Sequence, residues 1–496
     1  VRPSLTMRVP LSAILPSRFP WGQPWPSRKS LSSGICPDKL TIMPAITRHF
    51  IDVPLPAGGV RRVHYRRCGQ GQPLLMVHQS PRSSAEYEGL MRQWGAHFTC
   101  IAPDTPGFGQ SQPLPGSPEI ADFADGLVAL LDALGLDRCP AYGFHSGGII
   151  LVTALKRAPH RFTGMAVGGY AIWTPQEMAI FSSAYLPPFQ PSAYGEHLTW
   201  LWNRMLEQSW FFPWFDVREQ ARLPGAHDDV ARVDQAVREM LEAGDAYRAG
   251  YGAVLRAPRD IPPADADVPP VLISAYDGDP LQAHIDRLGP LPAGWRAEKV
   301  ATPADHQRIS LDWLLALPLV PEAPLREAKD EGFAGISTSS FTGLVHWRGH
   351  PGDTATVAAP GRAISLFDGA GIDPPGHGLS DDWQGDSNRA AWDAVLAEVR
   401  HQCGFAGLAV EAPVPGDPAL LYPDLTPDRF GSHLLRAWSA VRAAHFFRPW
   451  HIASAATAIP FAPPSPARLA AEHLALLQAR SARAYHSALG AHDGNS

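Results

Sequence analysis

A G-x-H-x-G segment running from Gly143 to Gly147 constrains the fold of this chain more than any other feature. A short apolar run precedes it and a helical pattern follows it. A sharp turn from a strand into a helix needs small residues two positions before and two positions after its central residue, because backbone and side chain crowd there. The two glycines meet this requirement around His145, whereas a turn centred on Ser146 would put Phe144 at a crowded position. The segment therefore predicts a strand, a sharp turn with His145 at its centre, and a helix.

Short apolar runs and helical patterns alternate over residues 43–320. One helix is expected over residues 118–134, with Ser117 as N-cap, Pro118 at its first position and Gly135 as its stop. Strands that alternate with helices predict the α/β class, with a doubly wound and mostly parallel sheet. The predicted strands are residues 49–53, 60–66, 73–78, 98–103, 164–168, 271–275 and 297–301, together with a strand that ends at Tyr142.

Length and charge limit the remaining classes. At 496 residues the chain exceeds one ordinary domain, and 45% hydrophobic residues suffice for a full core. A net charge of −6 gives no electrostatic case for nucleic acid or an anionic membrane as a partner. No apolar run approaches the roughly 18 residues that cross a bilayer. The five cysteines have no ligand spacing, so we expect free thiols and a cytoplasmic protein.

Residues 1–42 are rich in Arg, Ser, Pro and Trp and lack hydrophobic periodicity. They contain neither a clear apolar core nor a small-residue cleavage site, so we predict no secretory signal. Two interpretations remain, a disordered leader and a segment translated from a start upstream of Met43. The first folded unit is expected to begin at residue 43.

Motifs between residues 60 and 170 resemble those of the α/β-hydrolase superfamily. Residues 75–80 stand where these proteins have their third strand and oxyanion-hole loop, and residues 104–111 resemble their D-x-P-G-x-G-x-S loop. The H-Q-S-P-R-S-S segment at 78–84, combined with histidine at the turn, is similar to a little-characterised branch with HQ[ST]PRS and G-x-H-[ST]-G motifs. The resemblance covers residues 43–320 and implies the α/β-hydrolase fold.

The resemblance also implies a catalytic acid and a catalytic base. In superfamily order the acid follows the strand at 271–275, where Asp279 precedes a proline, and Asp277 is the alternative. The base follows the last predicted strand, where His306 lies in a loop. We expect Asp279 to orient His306, as the acid orients the base in a catalytic triad. Either carboxylate could instead only shape the turn.

Histidine at the turn changes the chemistry that the superfamily performs with serine. A neutral imidazole can attack an acyl carbon, or it can act as a general base on water or a substrate hydroxyl. The sequence leaves both roles open for His145, and an inactive homologue is a third interpretation. Backbone N–H groups of Gln79 and Ser146 are expected to form the oxyanion hole.

Residues 171–260 are rich in Trp, Tyr and Phe, and related enzymes insert a helical cap there. Their aromatic side chains indicate either an apolar lid over a small apolar substrate or the cap's own core. Among residues expected to contact substrate are His78, Trp202 and His197, although a packing or capping role at a helix start is favoured for His197. The cap aromatics considered are Trp200, Trp202, Trp210, Phe211, Phe212 and Trp214.

A second, truncated copy of the first unit follows it. Residues 185–214 match residues 421–450 at an offset of 236, and the loop at 104–111 recurs at 373–380 at an offset of 269. The change of offset predicts a deletion of the strand and helix that flank the turn. We therefore expect residues 336–496 to be a smaller, degenerate α/β repeat without an active site, after a linker near 318–335. Such a repeat would scaffold, cap or dimerise with the first unit.

Three functions compete at this stage. The first is hydrolysis of an ester or related acyl bond of a small apolar substrate. The second is a non-hydrolytic reaction, such as that of a lyase, decarboxylase or cofactor-free oxygenase, with His145 and His306 as acid and base. The third is binding of a small ligand without catalysis. No cofactor or metal is expected, because the third glycine of a dinucleotide fingerprint and any metal-ligand spacing are missing. A small molecule is the expected partner, and the sequence also allows a homodimer.

Overall fold

The computed structural model describes residues 44–55, 58–258 and 261–490, so the expected leader at 1–42 lies outside the described residues. Two β-sheets are present in this part of the chain. The strands of the first sheet are β1 (Ile46–Pro54), β2 (Val60–Cys68), β3 (Pro73–Val77), β4 (Thr99–Pro103), β5 (Cys139–Phe144), β6 (Phe162–Gly168), β7 (Val271–Tyr276) and β8 (Arg296–Val300). The helices of this unit are α1 (Glu88–Trp94), α2 (Ile120–Leu134) and α3 (Ser146–Arg157), then α4 (Pro175–Ile180), α5 (Glu196–Gln208), α6 (Val230–Ala243) and α7 (Tyr247–Arg256) in the segment predicted as a cap, and α8 (Pro303–Leu315).

The first sheet has the order β1-β2-β4-β3-β5-β6-β7-β8. Strand β2 pairs antiparallel with β1 and with β4, and all later pairs are parallel. Alternate side chains of β3 enter two different cores, as the period of a strand requires. Leu75 and Val77 join the core that contains residues of α2 and α3, while Leu74 and Met76 join the core that contains residues of α1 and α8. The predicted doubly wound, mostly parallel α/β sheet is therefore confirmed.

Helix α2 shows which local signals determine its ends. The helix begins at Ile120, because Glu119 and Asp122 form a reciprocal capping box, so the predicted start at Ser117 and Pro118 was wrong. It ends where predicted, since Gly135 adopts the left-handed conformation with a φ of 71°.

The second sheet repeats the topology of the first five strands. Its order is β9-β10-β12-β11-β13, and each neighbouring pair has the same orientation as in β1-β2-β4-β3-β5. Its strands are β9 (Glu331–Ser337), β10 (Thr342–Arg348), β11 (Thr354–Val357), β12 (Gly371–Ile372) and β13 (Gly407–Val410). The helices of this unit are α9 (Arg389–Cys403), α10 (Pro418–Leu421), α11 (Ser432–Ala444), α12 (Pro466–Gln478) and α13 (Ala482–Gly490).

Two sequence-based boundaries of the second unit need correction. Strand β9 begins at Glu331, so the linker is shorter than 318–335 and the second unit starts before residue 336. Strand β13 is the counterpart of β5, so the strand that precedes the turn is retained, contrary to prediction. What the second unit lacks, among the residues described, are counterparts of the turn, of α3 and of β6.

The helices of the second unit follow the same two offsets. Helix α9 and helix α2 both have 15 residues, and each is closed by a left-handed glycine, Gly404 and Gly135 respectively. Helices α11 and α12 lie 236 residues after the cap helices α5 and α6. The second unit therefore combines counterparts of five of the eight strands with counterparts of α2, α5 and α6. Within the described ranges, no helix is long and apolar enough to span a membrane.

Candidate active site

The structure places His145 at the turn between β5 and α3. Its φ of 48° and ψ of −115° make it the one non-glycine residue with positive φ in the described part of the chain. The crowding expected at this turn is present, since a Cβ on Gly147 would lie 1.9 Å from the backbone oxygen of Val77. A Cβ on Gly143 would lie 2.7 Å from Leu151 Cδ1. Strained backbone of this kind costs about 1–3 kcal/mol and is concentrated at functional sites.

The side chain of His145 is joined to Asp279. Its Nε2 lies 3.1 Å from Asp279 Oδ1, which also accepts the N–H of Leu281 at 2.8 Å. A carboxylate can only accept, so Nε2 carries the proton and Nδ1 keeps its lone pair. No described residue hydrogen-bonds Nδ1, and a quarter of the His145 side chain (25%) is exposed. The ring is therefore oriented with a free basic nitrogen.

Asp279 remains ionised although it is buried. Burial opposes the charged form, but the proximity of His145 and the hydrogen bonds from His145 and Leu281 lower the pKa of Asp279 below its usual value. Asp277 is exposed and accepts a hydrogen bond from Gln282. Of the two candidate acids, only Asp279 meets a histidine.

His306 does not pair with Asp279, so that predicted pair was wrong. The residue lies in the first turn of α8, not in a loop, and its ring is buried. Its Nδ1 lies 2.7 Å from Ser274 Oγ and its Nε2 lies 3.0 Å from the hydroxyl of Tyr142. Burial lowers the pKa of His306 to about 4. Both nitrogens are thus engaged by side chains on β7 and β5, and the ring is held neutral.

Side chains already accept hydrogen bonds from backbone N–H groups of the loop that was expected to supply the oxyanion hole. The backbone N–H of Gln79 donates to Glu86 Oε1 at 2.8 Å, so the donor predicted at Gln79 is not free. The next N–H, that of Ser80, donates to Ser146 Oγ at 2.5 Å. Ser146 is the first residue of α3, where backbone N–H groups lack partners within the helix. Of the two predicted donors, only the backbone N–H of Ser146 has no acceptor among the described residues.

The three predicted substrate contacts lie elsewhere. His78 is buried, and its Nε2 accepts the N–H of Thr105 at 2.9 Å, so it joins two loops of the first unit. His197 and Trp202 of α5 face the second unit. The ring of His197 lies 4.9 Å from that of Trp438, and the ring of Trp202 lies 5.5 Å from that of His433. All three side chains are buried in packing contacts, which gives no support to the predicted substrate contacts and, for His197, agrees with the packing role that the sequence favoured.

Two residues near the pair of His145 and Asp279 were not predicted. Gly169 follows β6 with a φ of 54°, and a Cβ there would lie 2.4 Å from His145 Cδ2 and 2.6 Å from Asp279 Oδ2. His284 is buried, and its pKa is lowered to about 4 by burial and by nearby charges. A glycine directly after a strand was the available signal for Gly169. No local pattern distinguishes His284.

Aromatic side chains of the cap pack beside His284. Trp173 meets the ring of His284 at 5.0 Å and the ring of Phe181 at 4.7 Å, and Phe212 packs against both Trp173 and Phe181. The indole N–H of Trp173 is buried and has no hydrogen-bond partner among the described residues. These side chains therefore form an apolar, largely buried cluster beside His284.

Comparisons with known proteins agree with this architecture. A family model for the alpha/beta hydrolase fold matches residues 72–184. Haloalkane dehalogenase 2 of Mycobacterium tuberculosis (strain ATCC 25618 / H37Rv) is 32% identical over 136 residues, which are 27% of this chain and 47% of that protein. The soluble epoxide hydrolase of Corynebacterium sp. (strain C12) is 33% identical over 90 residues, which are 18% of this chain and 31% of that protein. The chain thus spans about half of the length of the dehalogenase and less of the epoxide hydrolase.

Among solved structures, epoxide hydrolase A from Mycobacterium thermoresistibile is similar with a TM-score of 0.43 at 17% identity. That similarity covers 55% of this chain and 100% of the other. A thermophilic esterase from Thermogutta terrifontis gives a TM-score of 0.36 at 19% identity, with 54% and 97% covered.

Proposed function

Because the first unit belongs to the α/β-hydrolase superfamily, we propose that this chain is a hydrolase in which His145 and Asp279 act as a general-base pair on water. The contact of 3.1 Å between His145 Nε2 and Asp279 Oδ1 carries the proposal. It fixes the tautomer, so that Nδ1 is the atom that takes the proton. Asp279 then stabilises the imidazolium that forms, as the acid does in a catalytic triad.

The base role is favoured over direct attack by His145. A tetrahedral intermediate formed by attack on an acyl group needs N–H donors for its oxyanion. The N–H groups of Gln79 and Ser80 are already bonded to Glu86 and Ser146. Attack by activated water on an acyl group forms the same oxyanion, so these occupied N–H groups do not distinguish the two roles. We propose the base role because an imidazole oriented by a carboxylate is the usual general-base arrangement.

For the substrate we propose a small apolar molecule with an ester or related acyl bond. The aromatic cluster of Trp173, Phe181 and Phe212, which packs beside His284 near the pair of His145 and Asp279, supports an apolar substrate. The similar proteins named above as a dehalogenase and an epoxide hydrolase support hydrolysis of a small molecule.

A non-hydrolytic reaction is the second candidate. The occupied N–H groups of Gln79 and Ser80 favour it, because proton abstraction from a substrate by His145 does not require an oxyanion hole at that loop. His306 takes no part in this version, since both of its ring nitrogens are bonded to Tyr142 and Ser274.

The test is a screen of short aryl esters and other small apolar substrates in water labelled with oxygen-18. Hydrolysis is expected to place the label in the product in wild type and to be lost in His145→Ala. Ser146→Ala, the neighbouring control, should lose much less activity. Turnover without label supports the second candidate. Full activity in His145→Ala contradicts both.

A further inference from the structure

The two units meet through equivalent residues. Trp202 packs on His433, while Trp438 packs on His197. The two tryptophans lie 236 residues apart in sequence, and so do the two histidines. The glycines that precede α5 and α11 also make reciprocal contacts. A Cβ on Gly195 would meet the ring of Trp438, and a Cβ on Gly431 would meet the ring of Trp202. In a twofold dimer residue i contacts j while j contacts i, and this interface has that property within one chain.

The same relation holds away from these helices. Phe50 of β1 pairs with His64, and Phe333 of β9 pairs with His346, so the two phenylalanines are counterparts. Their rings stack on each other at 5.7 Å. One buried hydrophobic cluster also runs through α5, α6, α11 and α12. The second unit therefore covers the face that an identical subunit would cover.

The contact between His433 and Asp234 is one of those that break the symmetry. His433 of the second unit lies 2.8 Å from Asp234 on α6, and both groups are buried. Its counterpart His197 finds no such acid across the interface, because Ala470 of α12 stands at the position equivalent to Asp234. His197 instead accepts the N–H of Ser192 in its own loop, at 3.1 Å. Of these two equivalent histidines, only His433 is paired with an acid across the interface among the described residues.

Helix α6 continues this contact towards the candidate active site. Glu239 forms an ion pair with Arg82 and accepts the hydroxyl of Ser83 at 3.0 Å. These two residues follow Ser80, whose N–H donates to Ser146 at the turn. Arg238, which lies on α6 between Asp234 and Glu239, also bonds across the interface. It donates to the backbone oxygen of Leu477 at 2.8 Å.

We propose that the second unit is a built-in partner subunit, which holds α6 through His433 and thereby positions the loop of residues 79–84 beside His145. The surface of α5 and α6 fits a second copy of the same fold, and residues 331–490 occupy it. Asp234 and Glu239 are positioning residues. The proposal concerns the arrangement of the loop and does not depend on which reaction the site performs.

The test is hydrogen exchange of the full chain, followed by peptide. His433→Ala should raise exchange about tenfold or more in residues 230–243 and in residues 79–86, because the buried Asp234 carboxylate loses its bond across the interface and keeps only the ion pair with Arg238 on its own helix. His197→Ala is the matched control, because His197 is the residue of the first unit that is equivalent to His433 in the interface. Its effect should be confined to residues 185–208 and to the facing part of α11.

Two results would overturn the proposal. One is unchanged exchange at 79–86 in folded His433→Ala, and the other is an equal rise at 79–86 in His197→Ala. Should His433→Ala fail to fold, Asp234→Asn decides in its place, because it keeps the shape of the side chain and removes its charge. Asp234→Asn is expected to loosen α6 and the loop together, and loosening of neither contradicts the proposal.

Discussion

Nε2 of His145 lies 3.1 Å from Oδ1 of Asp279, and this bond joins the turn after β5 to the loop after β7. The backbone at Gly169, after β6, passes close to both side chains. The pair therefore depends on the ends of three neighbouring parallel strands. This is the edge of an open α/β sheet at which ligands are usually bound.

Asp279→Asn should lower kcat about 100- to 10,000-fold, the range that general-base catalysis contributes. An amide cannot hold Nε2 protonated and also stabilise the imidazolium, so His145 loses both its tautomer and its counter-charge. Asp277→Asn is the control, because Asp277 is exposed and bonds only Gln282 among the described residues. Steady-state kinetics on the substrate found in the screen measure the effect, and equal losses in the two variants would count against the pair.

His306→Gln should reduce stability much more than catalysis. The ring is buried and bonded to both Ser274 and Tyr142, so the substitution should cost about 1–3 kcal/mol in the free energy of unfolding. Urea denaturation measures this change. Tyr142→Phe, which removes one of the two bonds, should cost less. A loss of kcat as large as that of His145→Ala, without a loss of stability, would restore His306 as the catalytic base.

Gly169→Ala should abolish activity and destabilise the fold. The new methyl group would lie 2.4 Å from His145 Cδ2, and the φ of 54° at this position already disfavours a side chain. We expect a cost of about 1–3 kcal/mol from overpacking. Gly225→Ala is the matched control, since no atom lies within 4 Å of its added Cβ. Retained activity in Gly169→Ala would mean that the pair of His145 and Asp279 is not required.

His346 should make stability fall as the pH rises above neutrality. Burial disfavours its charge, but Asp373 at 2.8 Å and Glu331 at 3.3 Å raise the pKa of His346 above its usual value. A folded pKa above the unfolded value contributes stability that is complete below about pH 6.5 and is lost as the pH rises through the folded pKa. Unfolding of wild type and His346→Gln should differ by about 3 kcal/mol near pH 6, and by less at higher pH.

His64, the residue of the first unit that is equivalent to His346, provides a control for which stability should change with pH in the opposite direction. Burial lowers the pKa of His64 in spite of Asp104, and Arg66 and Arg48 add to the shift. Wild type should therefore gain stability relative to His64→Gln as the pH rises towards 6.5. Parallel pH profiles for the two variants would show that the surrounding charges do not act as described.

The sheet and the turn could be predicted because their signals are local. Gly143 and Gly147 mark the crowding around His145 within five residues of sequence. The start of α8 carried a local signal as well, since Thr302 accepts the N–H of Asp305 and Pro303 occupies the first turn. That signal would have put His306 in a helix rather than in a loop.

The pairing of Asp279 could not be predicted in the same way. Two histidines compete for one carboxylate, and the outcome depends on which ring finds other partners. His306 is taken by Tyr142 and Ser274, which lie on two different strands far apart in sequence. The retained strand β13 was missed for a simpler reason, since four residues of weak similarity carry too little pattern to be recognised.

Strand β13 lies at the rim of its sheet, whereas its counterpart β5 has neighbours on both sides. Because the second sheet ends at β13, one edge of this strand has backbone N–H and C=O groups without a neighbouring strand. Strands of other molecules can pair with such an edge. Four residues give such an edge little length, and Pro413 and Pro415 follow it closely, where neither can donate an N–H. The sheet with five strands in place of eight thus ends in a short strand followed by prolines, and we expect this edge to resist pairing with strands of other molecules.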